Sequence, residues 1–529
     1  MSAQDRETRL AHCVLAIAIT LAAALRGAGL PAESPWHDEV LSLRALDQPD
    51  LASFWEQLRA EDAVATLAPL YFTLEHLWSR VAGTDATNVR CLSILFSLLS
   101  LPVIYLIGRR LFGPVAGCVA ALCLGLSLPG IFYGQEIRMY SLVSFLALLS
   151  VATLLLALER GHVWWIVHGV VNALLVWSHL FAGLVVAAEG LFLLLCCWRK
   201  PTAWLAWTVL HVALAAGTAA YVRVLVSQGM AQGASWMPLP TWREAANTFV
   251  VLAGGRFSNE DPRPYLVTGV SLDLVLAGVL LFLAVLLCLR QFLIVRPRAG
   301  NGLAERSVAA TVLLLLWLGL PTAVLLAVSY LYAPCFMYRY VLYSAPPLYL
   351  MAGGALATSR RVTLPLVAVG ILTVAYAYQF MALPLPFRPD YRMAAELVDR
   401  AGSPDDPILV YKAINVLPFQ FAAGDAASRV IAIEGENELR VQVLGRAVSG
   451  SAPWVIMWRW DKTEEFERFL RRSGLRFTTV ELGGMPRVHV YHIQERILPG
   501  GDLVASRREE ALHDLFGKIV DAHVPVRAV

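Results

Sequence analysis

Trp36-His37-Asp38-Glu39 sets two carboxylates a few residues past the first long apolar run of the chain. A carboxylate at a membrane edge meets water on one side and lipid head groups on the other, and partial desolvation makes it a usable general base. The same residues also read as a solvated acidic turn that caps the next helix, with Asp38 or Ser34 as N-cap. His37 beside Asp38 and Glu39 offers ligands to a divalent cation, but adjacent side chains point different ways, which makes a weak metal signal. A second cluster is Tyr133-Gly134-Gln135-Glu136-Ile137-Arg138-Met139-Tyr140. Arg138 stands there at a helix entrance. An Arg at that depth is costly unless it pairs or meets an anion, and the helix N-terminus adds its own positive end. Such a place seats a phosphate; it equally suits an Arg that snorkels to head groups or pairs with Glu136. Ser178-His179 ends another apolar run, and Tyr338-Arg339-Tyr340 opens a further one. A lone interfacial His is more often structural than catalytic. Aromatic belts explain the tyrosines beside Arg339 but not the Arg itself. Glu189 and His211 lie deeper in apolar runs, where a functional role or mutual satisfaction within a bundle both fit.

The elements that must position these groups are membrane spans. Of 529 residues, 57% are hydrophobic and only 16% charged. An ordinary soluble domain carries about 25% charged residues. That excludes a soluble cytosolic enzyme and a disordered chain. A net charge of +3 excludes the electrostatic footprint of a nucleic-acid binder. Apolar runs near 10–29, 90–108, 114–132, 139–158, 162–181, 183–198, 202–224, 266–290, 308–330, 340–358 and 362–382 predict about eleven spans. Arg6, Arg9, Arg109, Arg110, Arg160, Arg199, Lys200, Arg360 and Arg361 then share one side with the basic connection 291–307. The positive-inside rule makes that side cytoplasmic. The N-terminus is then inside, and the four clusters fall on the outer face. Residues 68–83, with Glu75, His76 and Arg80 on one side, predict an amphipathic interfacial helix within an outer loop 31–89. A second outer loop covers 225–265. The eight cysteines mostly lie in or beside apolar runs and form no C-x-x-C.

Beyond residue 382 the composition changes. Short apolar strands at Ile408–Tyr411, Val430–Ile433, Trp454–Trp458, Phe477–Leu482 and Arg487–Ile493 alternate with helical stretches near 391–401, 436–446 and 462–473. This predicts a small α/β domain with a mixed sheet over 383–495, followed by a charged tail 496–529 with a helix around 506–520. The organisation is therefore a membrane domain 1–382 and an outer-face domain 383–495. There is no Walker A, H-E-x-x-H or D-x-D, so soluble nucleotide chemistry has no support.

The ordered series Trp36-His37-Asp38-Glu39, Ala68-Pro69-Leu70-Tyr71, Arg90, Gly108-Arg109-Arg110-Leu111-Phe112-Gly113, Gln135 to Tyr140, Ser178-His179 and Arg339-Tyr340 resembles the GT-C membrane glycosyltransferases. It is most similar to the protein-mannosyltransferase and aminoarabinose-transferase branch, with its bacterial dolichyl-phosphate-mannose-type relatives. Pro389-Asp390-Tyr391-Arg392 also resembles these bacterial relatives, where Trp commonly stands at the position of Tyr391. The resemblance spans roughly residues 10–380. It implies an α-helical polytopic GT-C-like fold and an inverting transferase at the outer face of the cytoplasmic membrane. The implied donor is a polyprenyl-phosphate sugar, and the acceptor is a hydroxyl of a lipid, glycan or protein. Asp38 would take the acceptor proton, and Glu39 would orient the acceptor or Asp38. Arg138 and Arg339 would hold the donor phosphate, with Gln135, Glu136, Tyr140, His179 and Tyr71 around the substrate. No cofactor is implied with certainty, and a divalent metal stays open. His37 departs from the aromatic or small residue common there. A multi-pass transporter or flippase is the alternative; it would show inverted repeats and midplane charge.

Overall fold

The computed structural model describes residues 3–161, 163–198, 200–227, 237–255, 266–267, 270–294, 302–358, 363–381, 387–458, 460–482, 487–496 and 526–527. The chain is mostly helical and divides into two compact units. One comprises residues 1–28 and 45–382, the other 29–44 and 383–529. This differs from the boundary the sequence predicts. The acidic segment after the first span groups with the C-terminal region, through hydrogen bonds given below, and not with the spans on either side of it.

The helices in chain order are α1 (Ala3–Gly27), α2 (His37–Leu46), α3 (Leu51–Glu61), α4 (Pro69–Ala82), α5 (Ala86–Phe112), α6 (Pro114–Leu126), α7 (Leu128–Phe132), α8 (Tyr140–Arg160), α9 (Val163–Ser178), α10 (Gly183–Cys196), α11 (Pro201–Ser227), α12 (Trp242–Leu252), α13 (Leu272–Leu289), α14 (Gly302–Leu331), α15 (Pro346–Ala357) and α16 (Thr363–Met381). Each apolar run expected to span contains one of these helices. Among the described residues six, lying in α1, α5, α8, α11, α13 and α14, are long and apolar enough to cross a membrane; four further apolar helices are shorter. The chain is a multi-pass membrane protein.

Three runs are shorter or broken for local reasons. The run 114–132 divides at Ser127, which takes extended backbone, because Pro129 has no N–H to continue the helical ladder and the Ser127 side chain caps α7 by accepting the Gly130 N–H at 3.3 Å. The run 266–290 becomes helix only at Leu272, after the short β1 (Leu266–Val267) and β2 (Val270–Ser271) pair. The run 340–358 opens as a 3-10 turn over Tyr338–Ser344 and turns α-helical at Pro346. Helix α4 forms where expected, but its polar residues are not all on the outside. Glu75 and His76 are buried while Leu77 and Val81 are exposed. Arg80, the third polar residue of the expected stripe, is exposed, and Tyr71 and Phe72 are buried, so the stripe does not lie in one environment. Of the expected loop 225–265, residues 228–236 and 256–265 lie outside the described residues, as does the expected tail helix.

The second unit is built on a mixed sheet ordered β4-β3-β5-β7-β6-β8: β3 (Ile408–Tyr411), β4 (Val430–Ile433), β5 (Trp454–Met457), β6 (Leu475–Leu482), β7 (Val488–Arg496) and β8 (Val526–Arg527). β3 pairs parallel with β4 and β5, and β7 runs antiparallel to β5 and β6. Side chains alternate between faces. Ile408, Val410, Trp454, Ile456, Val488 and Val490 pack with α17 (Tyr391–Ala401) and α18 (Ala413–Ala423) on one side. Leu409, Tyr411, Val455, Met457, Tyr491 and Ile493 pack with α19 (Glu436–Val448) and α20 (Trp460–Arg472) on the other. The mixed α/β domain agrees with the sequence, apart from α18, which it did not reveal.

Candidate active site

The turn between α7 and α8 is held from beneath by Arg26, the last basic residue of α1. Its guanidinium is fully buried and donates to Ser97 Oγ at 2.8 Å and to the carbonyls of Ala22, Gly125 and Gly130 at 3.0, 2.9 and 2.8 Å. Gln135, also buried, donates to the Arg26 carbonyl at 2.8 Å. Gly134 has to be glycine, since a Cβ there would lie 2.6 Å from the Gly130 carbonyl and 2.8 Å from Arg26 Nε. One arginine thus ties α1, α5, α6 and α7 to the turn that carries Gln135, Glu136 and Arg138.

Arg138 pairs with Asp62, at the end of α3, through Nη1···Oδ2 of 2.8 Å, with both side chains nearly buried. Its guanidinium also lies over the Phe72 ring, 5.4 Å from the centroid. Its carbonyl accepts from Ser93 Oγ at 3.4 Å, and Ser93 meets the Tyr71 hydroxyl at 3.0 Å. Arg138 thus pairs with Asp62, and the neighbouring Glu136 is itself buried.

Aromatic side chains line the next part of the same unit. The Tyr133 and Tyr140 rings meet edge to face at 4.9 Å, and the Tyr133 hydroxyl donates to the Tyr338 hydroxyl at 3.4 Å. Burial, reinforced by Tyr338, Glu136 and Tyr140, pushes the Tyr133 phenol well above its ordinary range, so it stays a donor at neutral pH. The His179 ring lies tilted against Tyr340 at 5.4 Å and Phe181 at 5.2 Å, and the Tyr343 hydroxyl donates to the Phe181 carbonyl at 2.8 Å. The His179 Nδ1 accepts the Phe181 N–H at 3.2 Å, so a neutral ring carries its proton on Nε2. That Nε2 is buried and has no hydrogen-bond partner among the described residues. Arg339, partly exposed, acts electrostatically on both His179 and Tyr133. His179, Arg339, Tyr133, Glu136 and Tyr140 thus share one region of the helical unit.

Glu189 and His211 belong to a separate, closed network inside this unit. Ser150 lies 2.6 Å from Glu189 Oε1 and 2.5 Å from Asn172 Oδ1, and Asn172 Nδ2 reaches Glu189 at 3.1 Å and His211 Nε2 at 2.8 Å. His168 joins through Asn172 and Thr153, each at 3.2 Å.

The acidic motif is described within the second unit. Glu39 is fully buried; its Oε2 accepts the Trp36 N–H at 3.3 Å and lies 3.4 Å from Arg388 Nε. Glu33 accepts the N–H groups of Phe387 and Arg388 at 2.5 and 3.0 Å and lies 3.5 Å from Arg388 Nη1. Ser34 donates to Asp390 at 3.4 Å and accepts the Arg392 N–H at 3.1 Å. Asp38, at the second position of α2, is partly exposed. Neither Asp38 nor Ser34 is the N-cap of α2; Trp36 precedes its first residue, with Glu39 reaching back to it. Among the described residues no group of three His, Cys, Asp or Glu is spaced to hold a metal ion.

Residues 67–221 match the sequence profile of a family described as dolichyl-phosphate-mannose-protein mannosyltransferase. The crystal structure of ArnT from Cupriavidus metallidurans bound to undecaprenyl phosphate aligns with a TM-score of 0.50 at 12% identity, over 93% of this chain and 98% of that one. The fold is GT-C. Lower in similarity are ArnT in the apo state (TM-score 0.39, 13% identity, 91% of this chain and 98% of that one) and the Archaeoglobus fulgidus oligosaccharyltransferase tethered with an acceptor peptide (TM-score 0.47, 12% identity, 89% and 73%). No curated protein sequence matches the chain. Within the GT-C helical unit, Tyr71, Gln135, Glu136, Arg138, Tyr140 and His179 all fall in the profile-matched stretch. Asp62, Ser93, Arg26, Glu33 and Arg388 are the structural partners that sequence reading missed. A buried guanidinium needs an acid or a set of carbonyls, but nothing in a single sequence says which.

Proposed function

We propose that the chain is an inverting glycosyltransferase that moves a hexose or pentose from a polyprenyl-phosphate donor to an acceptor hydroxyl at the outer face of the cytoplasmic membrane. The GT-C fold and the mannosyltransferase profile over 67–221 support transfer from a lipid-linked donor. The observation that carries the reading is the buried His179 Nε2–H, which has no acceptor among the described residues, in the region of the helical unit that also holds Arg339 and an aromatic wall. A donor N–H next to a fixed cation suits the oxygens of a phosphate ester. As the glycosidic bond breaks, charge grows on the leaving phosphate, and Arg339, Arg138 and His179 would stabilise it. Arg138 is held in place by Asp62, so its remaining N–H donors are preorganised. The anomeric carbon becomes oxocarbenium-like while Asp38 takes the acceptor proton. Glu39, engaged by Arg388, orients the start of α2. The N-terminus is cytoplasmic and the 383–495 domain extracytoplasmic in this reading. The transporter alternative leans on Glu189 and His211; their hydrogen-bonded enclosure fits a role in joining α8 to α11.

The test uses membrane fractions with labelled polyprenyl-phosphate mannose and polyprenyl-phosphate pentose. Wild type is expected to transfer label; Arg339→Gln and His179→Ala each lose about 10²–10³-fold in rate, and Asp38→Asn at least as much. Equal transfer by Asp38→Asn removes Asp38 from the chemistry. No transfer from either donor favours the transporter.

A further inference from the structure

We propose that Arg388 is a positioning residue for Asp38, so that the segment opening the C-terminal domain sets the geometry of the acidic motif. The inference rests on the transferase reading above and deepens it. Three carboxyl-bearing residues, Glu33, Asp38 and Glu39, lie within one short segment, and two of them are committed to one buried guanidinium. Arg388 is 1% exposed, with Glu33 on one side at 3.5 Å and Glu39 on the other at 3.4 Å. Backbone N–H groups of Phe387 and Arg388 complete the Glu33 carboxylate. Trp36 N–H completes Glu39, which pins the first turn of α2. Asp38 precedes Glu39 on that turn and points about 100° away around the helix axis. Fixing Glu39 therefore fixes the direction of Asp38.

The chemistry separates the acids by role. Glu39 is fully buried and engaged by Arg388, so it holds and does not transfer the proton. Asp38 is the partly exposed member. The stitching extends further along the same two segments. Arg392 donates through Nη1 to the Pro31 carbonyl at 2.9 Å and through its N–H to Ser34, and Ser34 reaches Asp390. Arg388 has the central place, because its loss removes the buried cation that Glu33 and Glu39 share.

The experiment uses the full-length chain purified in detergent, with short-chain prenyl-phosphate mannose and prenyl-phosphate pentose as donors. kcat, donor KM and thermal unfolding are measured for wild type, Arg388→Gln, Arg388→Lys, Glu39→Gln and Arg400→Gln. Arg400, in an exposed pair with Glu396, is the control and is expected to match wild type. Arg388→Gln and Glu39→Gln are expected to lower kcat about 10²-fold with donor KM within about twofold. Arg388→Lys is expected to restore most of the loss. Arg388→Gln with wild-type kcat overturns the proposal while leaving the transferase reading intact. So does a loss in Arg388→Gln that Lys does not rescue and that follows the folded fraction. If Arg388→Gln fails to fold, Glu39→Gln, which keeps Arg388 paired with Glu33, decides: unchanged kcat overturns the proposal. A wild type inactive on both donors sinks the transferase reading and this inference with it.

Discussion

Arg138 and Asp62 stand 76 positions apart and meet at 2.8 Å in a nearly water-free site. The depth of Arg138 was legible in the sequence, because an arginine at a helix entrance demands compensation. Its partner was not, since the stretch 31–68 offers several acids and only packing selects Asp62. Breaking such a pair from one side costs about 3–5 kcal/mol, because it strands a buried charge. Arg138→Gln and Asp62→Asn are each expected to lose stability of that order, and the double variant less than their sum, in a thermal-unfolding cycle. Asp390 gives a prediction with a pH sign. It caps α17 by accepting the Met393 N–H at 3.0 Å, yet burial holds its carboxyl above the ordinary aspartate range, against the lowering effect of that bond and of Arg392. The folded chain thus binds the proton more tightly than the unfolded one. Stability from this group is full below the unfolded pKa and is lost as the pH rises through the folded value. Asp390→Asn keeps a good cap and removes the titration. Its unfolding temperature is expected to exceed that of wild type near pH 7, with the gap closing toward about pH 4. A gap independent of pH would show that another group is responsible.

Apolar length read out the helices well; what it could not read was how closely they approach. A Cβ on Gly117 would lie 2.4 Å from the Tyr105 carbonyl, and one on Gly108 would lie 2.7 Å from Gly117 Cα. α5 and α6 therefore touch backbone to backbone. Gly117→Ala is expected to force them apart, lowering thermal stability in detergent by about 1–3 kcal/mol, with Gly217→Ala, in open space, as a neutral control. α4 teaches a related lesson. Glu75, His76 and Arg80 were visible in sequence as one polar side, but not that Glu75 and His76 would be buried while Arg80 is exposed. Sequence reading also passed over α18, because Pro418 interrupts an otherwise apolar run that carries no helical stripe. The strands of the C-terminal sheet were easier, since each is short, apolar and bounded by turns.

For the whole molecule, the proposed orientation puts everything after residue 387 outside the cytoplasm. A reporter active only outside the cytoplasm, fused after Ala401, is expected to be on, and one fused within 291–307 off. The opposite pattern would reverse the topology and remove the enzyme from the side on which its donor phosphate is proposed to lie. The sequence displayed two domains, but not that residues 29–44 would leave the spans on either side of them and group with residues 383–529. Pairing at that separation, more than 350 positions between Glu33 and Phe387 or Arg388, leaves no local trace in composition. It does leave a mark on biogenesis. A ribosome that has released α1 has already delivered Glu33 and Glu39, yet the arginine that neutralises them emerges only after α16. Every nascent chain must carry an unfinished acidic segment through most of its synthesis, and a protein truncated before Phe387 never completes it.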